Sequence, residues 1–207
     1  MAEYTIDEAR EEREIKARFD ELMEACREQK KLTREERSQI VRAFQIAKKA
    51  HAGTRRKSGE PYIFHPLAVA LIAVKEVGLG PIAVVCALLH DVVEDTEITL
   101  DELRMVFGDR VAKIVDGVTK IDDVMLMTES KQAENNRKIL LSMCEDAYVI
   151  FIKLCDRLHN MRTLGSMKDT KKLIIASETS YLYIPLAHRL GLYNIKTELD
   201  DLVMQRS

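Results

Sequence analysis

The sequence predicts an all-α fold in the form of a compact helical bundle. Apolar residues recur at helical spacing along most of the 207 residues, and the alternation typical of half-buried strands is scarce. Only 8 Gly and 4 Pro interrupt a chain of this length, which favours long helices. Hydrophobic residues make up 46% of the chain and charged residues 32%, as in soluble globular proteins, so the composition excludes a disordered chain.

Start and stop signals divide the first half of the chain into consecutive helices. Thr33 followed by Glu36 forms a capping box, and Thr99 caps a later helix. The polar segment at residues 53–61 contains the breakers Gly59 and Pro61 and is predicted to be a loop. The predicted helices cover residues 6–29, 34–52, 66–77, 81–91, 100–107 and 109–118. The helix that begins at residue 81 is apolar on all sides, so it is predicted to be the buried central helix.

The second half continues the helical pattern after a predicted exposed loop at residues 120–130. Further helices are predicted at residues 131–144, 147–163 and 170–189, and a last one begins near residue 193. We predict three segments: an N-terminal charged helix at residues 1–33, a core at residues 34–166, and C-terminal helices packing on that core at residues 167–207. Self-association through the charged N-terminal helix stays open.

Charge and cysteine usage exclude several classes of function. A net charge of −2 gives no reason to expect binding to DNA, although five basic residues and no acidic one occur between Lys48 and Lys57. The 4 Cys form no C-x-x-C pair, and Cys86 and Cys155 are predicted to be reduced packing residues. No stretch resembles a signal peptide, and the longest apolar run, residues 82–89, is too short to cross a bilayer. The sequence therefore predicts a cytoplasmic protein without a membrane partner.

Residues that could bind a metal occur in three segments with apolar flanks. These residues are His65, the adjacent pair His90 and Asp91, and Asp156. Two His and two Asp suit a divalent transition metal. A buried carboxylate without a partner costs several kcal/mol, roughly, and we expect the cations next to Asp156 in sequence, Lys153 and Arg157, to point elsewhere on the helix. A shared metal ion would therefore stabilise the carboxylates.

Two more carboxylates follow the His–Asp pair. Glu94 and Asp95 lie three and four residues beyond Asp91, which is the same face if the segment is helical. Carboxylates beside a metal ion can direct water toward a phosphate ester. The pattern thus indicates a metal-dependent phosphohydrolase.

Three motifs resemble the RelA/SpoT family, which makes and degrades the alarmones ppGpp and pppGpp. They are Arg-Lys-Ser-Gly-Glu-Pro-Tyr at residues 56–62, His-Asp-Val-Val-Glu-Asp-Thr at residues 90–96, and Asp-Arg-Leu-His-Asn-Met-Arg-Thr at residues 156–163. The resemblance is to the N-terminal hydrolase domain of that family, a member of the HD-domain metal phosphohydrolases. It covers residues 34–202 and includes segments 117–120, 133–135 and 185–191. The middle segment of 34–166 is therefore the expected HD hydrolase core.

The resemblance implies a role for each candidate site residue. It implies one Mn²⁺ ion held by four ligands: His65, His90, Asp91 and Asp156. It implies that Glu94 and Asp95 position or deprotonate the attacking water. It also implies a set of nucleotide contacts, in which Arg56 stacks on guanine: Arg56, Lys57, Ser58, Asn160 and Thr163.

The expected activity is hydrolysis of the 3′-pyrophosphate of (p)ppGpp to GDP or GTP and pyrophosphate. The positive segment at residues 48–57 would offset the charge of such a nucleotide. Two alternatives stay open: an HD-type hydrolase of another nucleotide, and a domain that senses (p)ppGpp without turnover. The intact His–Asp and Glu–Asp pairs favour turnover. Because residues 195–202 resemble the connecting helices of long family members, fusion to a synthetase domain in a longer protein is also expected.

Overall fold

The computed structural model describes residues 3–126 and 146–205, and it confirms the all-α prediction. Within these two ranges there is no named strand, and the only β pairing is an isolated bridge between Arg55 and Pro61. The predicted helix at residues 131–144, the motif segment at residues 133–135 and the end of the predicted loop at residues 127–130 lie outside the described residues.

The chain divides into two compact units, residues 1–116 and 117–207, with the boundary inside one helix. The predicted segment limits at residues 33 and 166 stay a prediction. The helices of the first unit, the last of which crosses the boundary, are α1 (Glu8–Gln29), α2 (Arg34–Ala50), α3 (Phe64–Ile72), α4 (Pro81–Leu89), α5 (Val92–Asp95), α6 (Leu100–Phe107) and α7 (Asp109–Leu126). A π-helical turn, Ala73–Val77, extends α3 to the predicted end of that helix.

The two helix starts predicted from capping residues, at Thr33 and Thr99, are confirmed by their hydrogen bonds. The Thr33 hydroxyl accepts a hydrogen bond from the Glu36 amide at 3.1 Å, and the Glu36 carboxylate accepts one from the Thr33 amide at 3.0 Å. Thr99 and Glu102 form the same reciprocal pair at the start of α6. Each pair satisfies two amides that a helix N-terminus otherwise leaves without intrahelical partners.

The core of the first unit is built around α4, as its uniformly apolar sequence predicts. Every residue from Ala83 to Leu89 is buried, and α4 packs against both α2 and α3. Helix α1 packs on α3, and the rings of Phe19 and Phe44 stack at 4.1 Å to join α1 to α2. A buried α4 delivers the residues that follow Leu89 to an enclosed position, and these residues are His90 and Asp91.

The second unit contains the end of α7 and the C-terminal helices. These helices are α8 (Tyr148–Arg162), α9 (Asp169–Glu178), α10 (Ile184–Arg189) and α11 (Tyr193–Met204), with a 3-10 turn at Leu164–Ser166 and a π turn at Thr179–Tyr183. The helix predicted at residues 170–189 is thus divided by the π turn. Pro185 follows that turn and lacks the amide that a regular α-helix would use.

The predicted loop at residues 120–130 is wrong over the part that the structure describes. Helix α7 continues to Leu126, because Ile121 extends the buried apolar stripe formed by Ile114 and Val118. The spacing of these three residues, four and then three, keeps them on one helix face. Polar residues after Lys120 therefore lie on a helix rather than in an exposed loop.

Candidate metal centre and nucleotide loop

Three of the predicted metal ligands meet in the first unit. His65 lies in the first turn of α3, His90 caps the end of α4, and Asp91 caps the start of α5. One ligand atom from each lies within 4.8 Å of the others. Both His side chains are buried, at 3% and 2% exposure, so the cluster is enclosed by protein. We call these residues the His–His–Asp cluster.

The chemistry of the cluster fits a divalent cation. The His90 Nδ1 lies 2.6 Å from the carbonyl oxygen of Ala87, so we infer that Nδ1 carries the proton and that Nε2 presents its lone pair toward the cluster. That Nε2 lies 3.0 Å from Asp91 Oδ2, and the His65 Nε2 lies 3.8 Å from the same oxygen. A cation can satisfy lone pairs that face one another at this distance, and imidazole with carboxylate suits transition metals.

Tyr62 supports the cluster, and the sequence reasoning assigned it no role. Its hydroxyl donates a hydrogen bond to Asp91 Oδ2 at 2.5 Å. Its ring lies edge-on to the His65 ring at 5.8 Å and tilted against the buried His51 ring at 4.7 Å. The signal in the sequence was its position three residues before His65, which brings the two side chains to one side of the chain as α3 begins.

Glu94 and Asp95 lie on the short helix α5, as the spacing predicted. The Asp95 amide donates to the Asp91 carbonyl oxygen at 3.0 Å, so the segment forms a helical turn. Both side chains are exposed to solvent. Partial desolvation of its carboxyl group and then the negative charge of Asp91 raise the pKa of Asp95, whereas the nearby imidazoles and the polar hydroxyl of Tyr62 oppose that shift. The roles of Glu94 and Asp95 stay predictions.

The three predicted nucleotide contacts of the first unit lie in a tight loop, which we call the 53–61 loop. The Arg56 amide donates to the Glu60 carbonyl oxygen at 2.9 Å, and the Gly59 amide donates to the Arg56 carbonyl oxygen at 2.9 Å. Lys57 is exposed, whereas Arg56 and Ser58 are half-buried, and Ser58 donates a hydrogen bond to the Glu60 carboxylate. The loop therefore presents Arg56, Lys57 and Ser58 together.

The positive segment at residues 48–57 is partly neutralised. Lys48 pairs with Glu12 at 2.7 Å, and Arg55 pairs with Glu11 at 2.7 Å. The expected charge of this segment toward an anionic nucleotide therefore comes from fewer residues than its sequence indicates, with Arg56 and Lys57 at its exposed end.

In the second unit, Asp156 is buried in α8 and already bonded to a cation. Lys153 Nζ donates to Asp156 Oδ2 at 2.9 Å, and both side chains are 8% exposed. The expectation that Lys153 points away is wrong, because residues three apart are neighbours on a helix. Arg157 does point elsewhere and pairs with Glu178 at 2.9 Å. The assignment of Asp156 as a fourth metal ligand stays a prediction.

Asn160 lies four residues after Asp156, and Thr163, which caps the end of α8, lies three residues after Asn160. This spacing places all three on one side of the helix. The Asn160 amide donates to Asp156 Oδ1 at 3.3 Å. The Thr163 hydroxyl donates to the His159 carbonyl oxygen at 2.9 Å at the end of the helix. Both side chains are half-buried, and their contact with a nucleotide stays a prediction.

The sequence model of a protein family described as 'HD domain' matches residues 43–193 of the chain. The chain belongs to the HD-domain family. In sequence, this HD domain is 53% identical over 164 residues to a GTP pyrophosphokinase of Streptomyces coelicolor, covering 79% of this chain and 19% of that protein. It is 50% identical over 163 residues to a guanosine-3′,5′-bis(diphosphate) 3′-pyrophosphohydrolase of Aquifex aeolicus, covering 79% of this chain and 23% of the relative.

The HD domain is also 49% identical over 164 residues to the bifunctional (p)ppGpp synthase/hydrolase SpoT of Escherichia coli, covering 79% of this chain and 23% of that enzyme. The predicted resemblance to the RelA/SpoT family is thereby confirmed. The chain spans about a fifth to a quarter of the length of these curated relatives.

A solved structure supports the same fold. The HD domain matches a metazoan orthologue of SpoT, which hydrolyses ppGpp, with a TM-score of 0.62 and 26% sequence identity. The match covers 82% of this chain and 96% of the orthologue. Among the helices of residues 3–126 and 146–205, none is both long and apolar enough to cross a membrane.

Proposed function

We propose that this HD domain hydrolyses the 3′-pyrophosphate of guanosine alarmones, converting ppGpp or pppGpp and water to GDP or GTP and pyrophosphate. The observation that carries the proposal is the His–His–Asp cluster, which lies in a chain about half identical to relatives named as that hydrolase. The metazoan orthologue adds support, because a chain of similar extent hydrolyses ppGpp there.

The proposed cofactor is Mn²⁺, held by His65, His90 and Asp91, with Asp156 as the fourth ligand that the family resemblance adds. The fit rests on the facing lone pairs of the cluster and on its mixed nitrogen and oxygen donors. A divalent ion bound there polarises a phosphoryl oxygen and lowers the pKa of water.

The side chains of the protein carry the remaining steps. Asp95 accepts the proton of the attacking water, and Glu94 orients that water. The water oxygen attacks the phosphorus bonded to the ribose 3′ oxygen, and the bond between that phosphorus and the ribose oxygen breaks. The proton taken up by Asp95 passes to the ribose 3′ oxygen, so that GDP (or GTP) and pyrophosphate are released. No covalent enzyme intermediate is required.

The 53–61 loop and the end of α8 bind the nucleotide in this proposal. The Arg56 guanidinium stacks on the guanine ring, and Lys57 and Ser58 bind its phosphates. Asn160 orients the substrate, and Thr163 contacts the base.

The alternative of a sensor without turnover makes a different demand on the chain. A sensor needs the nucleotide contacts but has no use for Glu94 and Asp95 on α5. Their position one helical turn from Asp91 favours hydrolysis.

In a longer protein this domain would precede a synthetase. The basis is that a relative is named as a bifunctional synthase/hydrolase and that the chain spans only 23% of it. Because the proposed substrate is a metabolite of the cytoplasm, we also propose a cytoplasmic location. We propose no DNA partner and assign no oligomeric state.

The test is to incubate the purified protein with ppGpp and Mn²⁺, with and without chelator, beside a His90→Ala, Asp91→Ala variant. Metal-dependent release of GDP and pyrophosphate that the variant lacks would support the proposal. The matched control is Asp101→Ala, since this carboxylate is 87% exposed on α6. Tight binding of ppGpp without turnover would favour the sensor, and faster hydrolysis of NADPH or deoxynucleotides would favour another HD hydrolase.

A further inference from the structure

We propose that Tyr4, Glu11 and Arg55 form a brace that holds the 53–61 loop in its nucleotide-binding conformation. Glu11 and Arg55 are then positioning residues, since they act on the nucleotide only through Arg56, Lys57 and Ser58. The inference rests on the proposed function, because the role of that loop is part of it.

The centre of the brace is a bidentate ion pair between Glu11 of α1 and Arg55 of the loop. The Arg55 guanidinium donates to both carboxylate oxygens of Glu11, at 2.7 and 2.9 Å. Such bidentate pairs have a fixed geometry and are stronger than single contacts. The Glu11 side chain is 4% exposed, so its charge would be costly to bury without this partner. The pair therefore fixes the position of Arg55 relative to α1.

The same groups hold the other side of the loop. Arg55 also donates to the Gly59 carbonyl oxygen at 2.9 Å, which connects both ends of the segment that contains Arg56, Lys57 and Ser58. The Tyr4 hydroxyl donates to Glu11 at 2.6 Å, and the Tyr4 ring lies so close to Gly59 that an added Cβ there would be 2.8 Å from it. Gly59 has a φ of +104°, a conformation that favours glycine.

The consequence is preorganisation of the nucleotide contacts. A loop that must be ordered during binding weakens affinity by the free energy of that ordering, and a braced loop avoids this loss. Neither Glu11 nor Arg55 belongs to the His–His–Asp cluster. Loss of the brace should therefore raise KM for the nucleotide and leave kcat and Mn²⁺ affinity nearly unchanged.

Glu12 provides a matched control one residue away. It also forms an ion pair from α1, with Lys48 of α2 at 2.7 Å, but its side chain is 61% exposed and its ion-pair partner lies outside the 53–61 loop. Glu11→Gln and Glu12→Gln each remove one charge from the same helix. A purely electrostatic effect of α1 would appear in both variants, whereas the brace predicts an effect in the first alone.

The experiment compares the parent, Glu11→Gln and Glu12→Gln in steady-state hydrolysis of ppGpp, in Mn²⁺ titration and in limited trypsin digestion. For Glu11→Gln we expect KM to rise about tenfold, kcat to stay within about twofold, and cleavage after Arg55, Arg56 or Lys57 to become several-fold faster, as expected for a loop that opens locally more often. Glu12→Gln should match the parent. Digestion is run well below the melting temperature of each variant, so that global unfolding contributes nothing.

Unchanged KM and unchanged cleavage in Glu11→Gln would overturn the inference, as would an equal effect in Glu12→Gln. A fall in kcat with loss of Mn²⁺ binding would also overturn it, because the effect would then act through the cluster. If the parent itself does not hydrolyse ppGpp, the proposed function fails, and the digestion still decides whether Glu11 braces the loop.

Discussion

Tyr62, which follows the 53–61 loop, contacts the candidate metal centre through a hydrogen bond to Asp91. A carboxylate that binds a metal needs a fixed orientation, and the groups that hydrogen-bond to it supply one. Neighbouring groups also raise the pKa of Asp95, because partial desolvation and the negative charge of Asp91 both disfavour the ionised form of the Asp95 carboxyl group. At the scale of single residues, the site thus depends on neighbours of the ligands as well as on the ligands.

Tyr62→Phe tests this support. The change removes the hydroxyl and keeps the ring against His51 and His65, so we expect Mn²⁺ affinity to fall about 10- to 100-fold with little loss of folding stability. Titration calorimetry with Mn²⁺ measures the affinity. Tyr181→Phe is the control, because Tyr181 is 57% exposed. Equal Mn²⁺ affinity in the parent and in Tyr62→Phe would show that the hydrogen bond does not matter.

Glu11 predicts a specific dependence of stability on pH. The hydrogen bonds from Arg55 and then from Tyr4 lower the pKa of Glu11 from 4.5 to about 2. Because the folded pKa is depressed, the carboxylate contributes stability above pH 4.5 and loses that contribution as the pH falls toward 2. Thermal unfolding should therefore show Glu11→Gln less stable than the parent at pH 7, with the gap in Tm narrowing below about pH 4. A gap that stays constant with pH would contradict this origin.

At the scale of elements, local signals predicted the helix starts better than the helix interiors. Thr33 and Thr99 are readable because a capping box is completed within four residues of sequence. The end of α7 was missed because the polar residues Lys120, Asp122 and Asp123 were given more weight than Ile121, which extends the buried face. The π turns at the ends of α3 and α9 are set by packing and leave no simple pattern in the sequence.

The 53–61 loop gives a prediction that separates backbone strain from steric contact. Gly53 and Gly59 both have positive φ, at +80° and +104°, but only Gly59 has a neighbour within 4 Å of an added Cβ, namely Tyr4. Gly53→Ala should cost about 1 kcal/mol from its backbone conformation alone. Gly59→Ala should cost more and should also raise KM, because it displaces Tyr4 from the brace. Urea unfolding and ppGpp kinetics measure both effects, and equal results for the two variants would contradict the contact.

At the scale of the molecule, the all-α fold and the convergence of three candidate metal ligands could be predicted from sequence. His65, His90 and Asp91 occur at helix ends that breakers and apolar runs already indicate, and the family resemblance joins them. The Glu11–Arg55 pair could not be predicted, because it joins residues 44 apart that no local pattern relates. The Lys153–Asp156 pair follows from helical spacing, although Lys153 was expected to point elsewhere on the helix.

The most direct test of the proposed function is the identity and ratio of the products that the parent releases from ppGpp in the presence of Mn²⁺. Chromatography quantifies the nucleotides, and a coupled enzymatic assay quantifies pyrophosphate and phosphate. We predict GDP and pyrophosphate in equal amounts, with no phosphate. Release of phosphate, or unchanged ppGpp with Mn²⁺ bound to the protein, would contradict a 3′-pyrophosphohydrolase.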